Sequence, residues 1–227
     1  MRAIVGFVAC LVMCTQVWAL SLSDFSNADA SGGLKEALTQ GASKAVDLLG
    51  TKDGFLKNSK VKIPMPDGLR QAEKLMRTFG MKKQADELVT AMNRAAEAAV
   101  PEAKELLIGA VKSMSVDDAK NILTGGDTAG TEYFKGKTSA QLKERFLPIV
   151  QKAMEKVGLA RTYEKFASKG ARYGVISKED ADLDNYVTQK ALDGLFTMVA
   201  EEEKAIRKDP VGAAGSMAKK IFGALGK

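Results

Sequence analysis

The chain has 227 residues, with 34 Lys and Arg against 28 Asp and Glu, a formal net charge of +6, and no histidine. Its two cysteines, Cys10 and Cys14, and its single tryptophan, Trp18, all fall within the first nineteen residues. The rest of the chain therefore cannot assemble a Ser-His-Asp or Cys-His nucleophile, and zinc, copper and haem sites lose their usual ligands.

Met1 and Arg2 give a positive start, and Ala3 to Met13 is an apolar run broken only by Gly6. Thr15 and Gln16 turn polar, and Val17-Trp18-Ala19 closes the segment. This pattern predicts a secretory signal over residues 1–19, cut after Ala19, and a periplasmic or secreted mature protein. An uncleaved anchor is the alternative, but the run falls short of the about 20 apolar residues that cross a hydrocarbon core. Lipid attachment at Cys10 or Cys14 is another, although Met13 stands where a small residue is wanted before Cys14. After cleavage no disulfide can form, so a packed core has to supply the stability.

Residues 20–33 read as a flexible polar segment, and 34–227 as a single compact all-α domain of eight or more helices. Leu34, Leu38, Ala42, Ala45 and Leu49 recur at helical spacing, and Gly50 supplies a stop. Lys52 to Asp67 breaks the pattern. Its Asp53-Gly54 pair signals a turn, and Pro64 and Pro66 exclude a helix, so the stretch reads as an extended connector able to pair as an edge strand. Asp67 can cap a helix ending at Gly80. From Lys82 a longer helix carries Ala85, Leu88, Met92, Ala95, Ala96 and Ala99 on one face. Its small side chains let neighbours approach closely, which suits a central helix, and Pro101 ends or kinks it.

A helix bearing Leu106, Leu107, Ala110, Val111 and Met114 follows. Ser115 to Asp118 forms a capping box for a short helix that ends at Gly125-Gly126. Asp127 or Thr128 can cap another short helix, and Thr138 with Gln141 a second capping box. The latter opens a helix with Leu142, Phe146, Ile149, Val150, Ala153, Met154 and Val157 inside, kinked at Pro148 and stopped at Gly158. Further helices are expected over 159–167, from about Ser177 to Lys208, and after Pro210. The last is small, cationic and amphipathic, with Lys219 and Lys220 beside Ile221 and Phe222. Docking on the core and lying on an anionic membrane are its two readings.

Charge is uneven along the chain. Residues 51–83 hold nine basic and three acidic residues, which suits either solvated faces or a basic patch for an anionic partner. Nucleic acid is not the expected partner, because few aromatics interleave with the cations to stack on bases.

Three places could carry chemistry. Asp180, Asp182 and Asp184 alternate as in the start of a calcium loop. Ala191 stands where the closing Glu should be, so no cofactor is expected beyond a residual calcium reading, and an acidic helix entry explains the three equally well. Gly125, Gly126, Asp127 and Thr128 lead into a helix start whose N–H groups could meet an anion. Tyr133 and Lys135 follow downstream. Asn93, Arg94 and Glu97 share one turn of the alanine-rich helix, with Asn93 and Glu97 on one face. Gly194 lies inside the helix that carries Leu192 and Leu195, flanked by Lys190 and Asp193 and preceded by Tyr186. Something has to approach closely there, most simply another helix. Glu201-Glu202-Glu203-Lys204 with Arg207 reads as surface ion pairing.

Several strings together are similar to one family. They are Gly33-Leu-Lys-Glu-Ala-Leu, Val61-Lys-Ile-Pro-Met-Pro, Met92-Asn-Arg-Ala-Ala-Glu-Ala-Ala-Val-Pro-Glu-Ala and Gly125-Gly-Asp-Thr-Ala. Phe146-Leu-Pro-Ile-Val and Tyr186-Val-Thr-Gln-Lys-Ala-Leu-Asp-Gly-Leu-Phe, continuing to Glu201-Glu-Glu-Lys-Ala-Ile-Arg-Lys-Asp-Pro, complete the set. Over nearly all of its mature length the chain resembles DUF4197, a domain of unknown function in exported proteins of Gram-negative bacteria. The resemblance implies a bacterial envelope protein and carries no activity or catalytic residue. Function then reads as non-catalytic binding of an envelope partner or small ligand, in a pocket formed by Asn93, Glu97, Asp127, Tyr133, Tyr186 and Asp193. Peripheral membrane association, and a hydrolase or lyase built on carboxylates and lysine, are the alternatives.

Overall fold

The computed structural model describes residues 27–67, 70, 73, 77–80, 82–156 and 182–209. Six α-helices fall in this part: α1 (Asn27–Leu49), α2 (Lys82–Ala99), α3 (Ala103–Lys112), α4 (Val116–Thr124), α5 (Ala129–Met154) and α6 (Leu183–Lys208), with a 3-10 turn at Val100–Glu102. Residues 70, 73, 77 and 78 are also helical, and no strand occurs among the described residues. The chain is all-helical as expected, but eight helices are not reached in the described part.

Two of the expected boundaries are absent, which accounts for part of the difference. Residues 27–33, expected to be loose, already belong to α1. The separate helices expected around 128 and 138 are one helix of 26 residues. Thr138 caps nothing; its hydroxyl donates to the Phe134 carbonyl 2.7 Å away, inside the helix. Burial of Phe134 and Leu142 on either side holds this stretch helical, and tertiary packing overrides the local capping signal. Pro148 also lies within α5. The expected leader, the helix over 159–167, the Ser177 cap and the C-terminal helix lie outside the described residues.

α5 is the centre. Phe134, Thr138, Leu142, Phe146, Val150 and Met154 follow one another at every fourth position, and all are buried. Steps of four overshoot a turn of 3.6 residues, so such a row drifts by about 40° per step and winds about halfway round the helix. α5 therefore meets α6, α2, α3 and α4 along its length. α6 returns a matching row, Leu183, Val187, Ala191 and Leu195, each fully buried. α1 closes the far side against α6, α3 and α4 through the predicted stripe of Leu34, Leu38, Ala42, Ala45 and Leu49. On α2, Ala85, Ala95, Ala96 and Ala99 are buried without exposed area, and the helix packs on both α5 and α6. One hydrophobic cluster joins all of these helices with Phe55, Val61, Ile63 and Met65 of the connector.

α4 opens as its sequence prescribes. The Asp118 amide donates to Ser115 Oγ at 3.0 Å, and the Ser115 amide and hydroxyl donate to Asp118 Oδ2 at 3.0 and 2.8 Å. The Ser115 hydroxyl and amide bonds hold the Asp118 carboxyl below its ordinary value of 3.8. A folded pKa below the unfolded one means stability that is present above the unfolded value and disappears as pH falls through the folded value. Asp118→Asn is expected to lower the urea midpoint at neutral pH, with the gap to wild type narrowing below about pH 4. A gap that stays constant with pH would show that the cap contributes nothing in its charged form.

Thr188, on the inner side of α6, is fully buried and its Oγ1 has no hydrogen-bond partner among the described residues. An unsatisfied buried hydroxyl costs about 1–3 kcal/mol. Thr188→Val keeps the branched shape and removes the hydroxyl, and is expected to stabilise the fold by about 1 kcal/mol in urea unfolding. Destabilisation of similar size would contradict the orphaned hydroxyl.

Candidate functional site

The connector between α1 and the segment before α2 has few backbone partners of its own, and α2 supplies them. After turns over residues 51–61 the chain runs extended. Asn93 Oδ1 accepts from the Ile63 amide at 2.8 Å, and its Nδ2 donates to the Ile63 carbonyl at 2.9 Å and to the Val89 carbonyl at 2.8 Å. The connector thus pairs as a strand would, but with a side-chain amide. One turn further on, Glu97 Oε1 accepts from the amides of Phe55 and Leu56 at 3.0 and 3.1 Å. Arg94 bridges Glu97 Oε2 to Asp53 Oδ1. Hydrogen bonds from Lys57 and then Arg94 hold the Asp53 carboxyl below its ordinary value. Asp53 itself has φ of 74°, the left-handed turn that its Asp-Gly pair signals. Asn93, Arg94 and Glu97 are brought together, then, but their polar groups are spent on the protein's own turn.

The start of α5 does meet an anion, and it is Glu203 of α6. Thr128 occupies the N-cap position without a side-chain cap. Instead Glu203 Oε1 accepts from the Gly130 amide at 2.9 Å, and Oε2 from the Thr131 amide and hydroxyl at 2.8 Å each. Arg207 donates to Glu203 Oε1 at 2.9 Å and to the Ile122 carbonyl at the end of α4, also at 2.9 Å. A carboxylate faces the positive end of one helix and a guanidinium the negative end of another. Glu203 is only 4% exposed, which corrects its reading as a surface residue. The signal was present, since Leu195, Val199 and Glu203 continue one four-residue row on α6. Gly130 gives this carboxylate access: a Cβ there would stand 2.6 Å from Leu38 Cδ2 and 3.1 Å from Glu203 Oε1.

Gly125, Gly126 and Asp127 are exposed around this junction. A Cβ on Gly125 would sit 2.7 Å from that of Ala129, so the glycine serves the tight turn. Tyr133 points elsewhere, its hydroxyl donating to the Ala110 carbonyl of α3 at 3.0 Å. Asp182 caps α6 by accepting from the Asn185 amide at 3.0 Å. Asp180 lies outside the described residues. Among the described residues, no three of His, Cys, Asp and Glu stand close enough to hold a metal ion.

Tyr186, Lys190 and Asp193 do converge. They border a cleft of about 500 Å³ between the connector and the outer face of α6, with Lys60, Lys62 and Arg70 opposite. The Tyr186 hydroxyl donates to the Pro64 carbonyl at 3.1 Å, which stands the ring against the connector. The Lys190 ammonium lies 5.8 Å from the centre of that ring and 3.7 Å from Asp193. Gly194 admits the connector to α6, because a Cβ would meet Phe55 Cε1 at 2.6 Å and Val61 Cβ at 3.2 Å. The close neighbour foreseen at Gly194 is thus a loop aromatic rather than a helix. Asp193 and Thr197 also border a second depression, a groove of about 710 Å³ between α5 and α6. Its floor includes Leu192 and Phe196, and Lys135, Lys143 and Glu132 stand along its α5 side. The six residues expected to share one pocket occupy three places instead: Asn93 and Glu97 under the connector, Asp127 and Tyr133 at α5, and Tyr186 and Asp193 at the cleft. Lys60, Lys62 and Arg70 were not singled out from sequence beyond their place in the basic block over 51–83.

Glu203→Ala leaves two buried amides, a hydroxyl and Arg207 without their acceptor. It is expected to cost about 3 kcal/mol or more in urea unfolding. An exposed pair gives the comparison: Lys104→Ala, which frees Asp47 at the surface, is expected to cost under about 1 kcal/mol. Equal losses at the two sites would rule out Glu203 as the junction of α4, α5 and α6.

No curated protein and no solved structure significantly matches the chain. One family model does match, over residues 24–223, and it is described as a protein of unknown function. The match spans the connector, the buried carboxylates and the whole border of the cleft, so the chain belongs to the DUF4197 family.

Proposed function

We propose that this is an exported, non-catalytic binding protein of the bacterial envelope, and that its ligand surface is the outer face of α6. The observation that carries this reading is the convergence of Tyr186, Lys190 and Asp193 on a cleft that continues, through Asp193 and Thr197, into the α5–α6 groove. Ligand sites are concave, combine apolar floors with a few placed polar groups, and sit on rigid elements. The trough over α6 has each of these properties. The two buried carboxylates, Glu97 and Glu203, offer nothing comparable to a reaction, since both accept from backbone amides and pair with arginine. Export is supported by the pattern of residues 1–19 and by the family resemblance. Among the described residues, no helix is long and apolar enough to cross a membrane.

The mature protein, purified natively from envelope fractions, is expected to begin at Leu20 and to carry a retained small molecule in native mass spectrometry. Thr197→Arg places a long side chain at the exposed position shared by both depressions, and is expected to abolish retention while leaving the helical circular dichroism spectrum intact. Retention by this variant equal to wild type would place the ligand elsewhere. An intact Met1 on protein from the cell would overturn export.

A further inference from the structure

We infer that the cleft between the connector and α6 recognises a compact anionic group, a phosphate being the simplest, on the ligand that occupies the trough. The inference rests on the proposed reading of that trough as a ligand site.

The connector explains why cations collect there. Val61, Ile63 and Met65 are buried, whereas Lys60, Lys62 and Pro64 are exposed. The chain is extended from Lys62, where successive side chains point to opposite sides, so burying Ile63 turns Lys62 and Pro64 outward together; Lys60 borders the same cleft from the turn that ends at Val61. The backbone that carries them is fastened at Ile63 by both hydrogen bonds from Asn93. Lys60 and Lys62 thus both border the cleft beside a fastened stretch of backbone. Lys190, one turn of α6 beyond Tyr186, adds a third cation from the facing wall, and Arg70 a fourth.

The carboxylates bordering the cleft do not balance these charges. Asp67 pairs with Arg70 at 2.8 Å, and Asp193 lies 3.7 Å from Lys190. Glu201, from the groove side, pairs with Lys60. Lys62 has no ion-pair partner among the described residues. Four cations against Asp67, Asp193 and Glu201 leave the described part of the cleft with a net charge of +1, carried by Lys62. Such a concentration raises the local density of anions and disfavours cationic or neutral occupants. Lys60, Lys62 and Arg70 are solvent-exposed, and an anionic group neutralises the excess. The Tyr186 ring, fixed by its bond to Pro64, supplies the wall against which the esterified part of the ligand rests before it passes over Asp193 and Thr197 into the groove.

The test is isothermal titration of the full mature protein with inorganic phosphate and with glycerol phosphate. Flotation runs beside it, with vesicles of phosphatidylcholine alone and of phosphatidylcholine mixed with phosphatidylglycerol. Saturable one-to-one binding of the free phosphates, weakened by salt, is expected. Lys62→Glu and Lys190→Glu are each expected to weaken it about tenfold or more, because both charges lie within a few ångströms of the anion. Lys112→Glu, far along the chain on α3, is expected to change it less than about twofold. Binding only to the anionic vesicles, lost in the same two cleft variants, would support the inference with a lipid headgroup as the source. Absence of all phosphate binding, or equal weakening by Lys112→Glu, would overturn it. A retained neutral or cationic molecule, displaced by Thr197→Arg, would overturn the anionic group while leaving the trough as a ligand site.

Discussion

Glu203 is the point at which three helices become one structure. α5 begins without a side-chain cap of its own, so its first amides need an acceptor. α6 provides one from the inner side of its last turns. The same carboxylate is held by Arg207, whose other hydrogen bond closes the end of α4. Burying a lone carboxylate would be prohibitive; burying one that accepts from amides, a hydroxyl and a guanidinium is affordable, and it fixes the direction in which α5 leaves the junction. The central row from Phe134 to Met154 can then turn its winding face to successive neighbours. Without that fixed start, the apolar surfaces of α5 would still be sticky but would lack a unique register against α6.

A second set of buried polar groups does for the connector what Glu203 does for the helix ends. Asn93 and Glu97 sit four residues apart on α2, so both reach the same strip of chain. Together they satisfy the amides of Phe55, Leu56 and Ile63, which an irregular segment could not satisfy alone. The cost of burying an irregular segment is thereby met, and Phe55, Val61 and Ile63 can join the core. The gap at Gly194 completes the seat. What faces solvent after this fastening is the end of a turn and the start of an extended run, with Lys60 and Lys62 bordering the cleft opposite Tyr186 and Lys190. The candidate site is thus a consequence of how the connector is held, and the residues that build it are not the residues that border it.

Much of the fold was legible because helical periodicity reports burial directly. The stripes on α1, α2 and α6, the Ser115–Asp118 box, the stop at Gly50 and the break at Pro101 all appear where local chemistry placed them. The failures share one cause. Thr138 and Gln141 satisfy a capping pattern, yet the helix runs through them because the residues on either side are buried on its neighbours. Gly125 to Thr128 pointed to a helix start whose amides could meet an anion, but local sequence cannot show that the acceptor of the Gly130 amide is 73 residues away in the same molecule. Asn93 and Glu97 were recognised as unusual polar groups on an apolar helix, and their partners, being backbone amides, leave no mark in side-chain identity.

By itself, then, the amino-acid sequence determined the helical class, the face each long helix buries, the extended connector and the absence of thiol and imidazole chemistry after residue 19. These follow from local stereochemistry and from the spacing of apolar residues, which need no knowledge of neighbours. Only the tertiary structure decided which buried carboxylate caps which helix, and that the loop at Asp53 to Met65 lies on α2 and α6. It alone brought Lys60, Lys62 and Arg70 opposite Tyr186 and Lys190, more than a hundred residues away. Those choices depend on contacts between distant segments, where hydrogen-bond satisfaction and close packing select one arrangement among many that the local pattern allows.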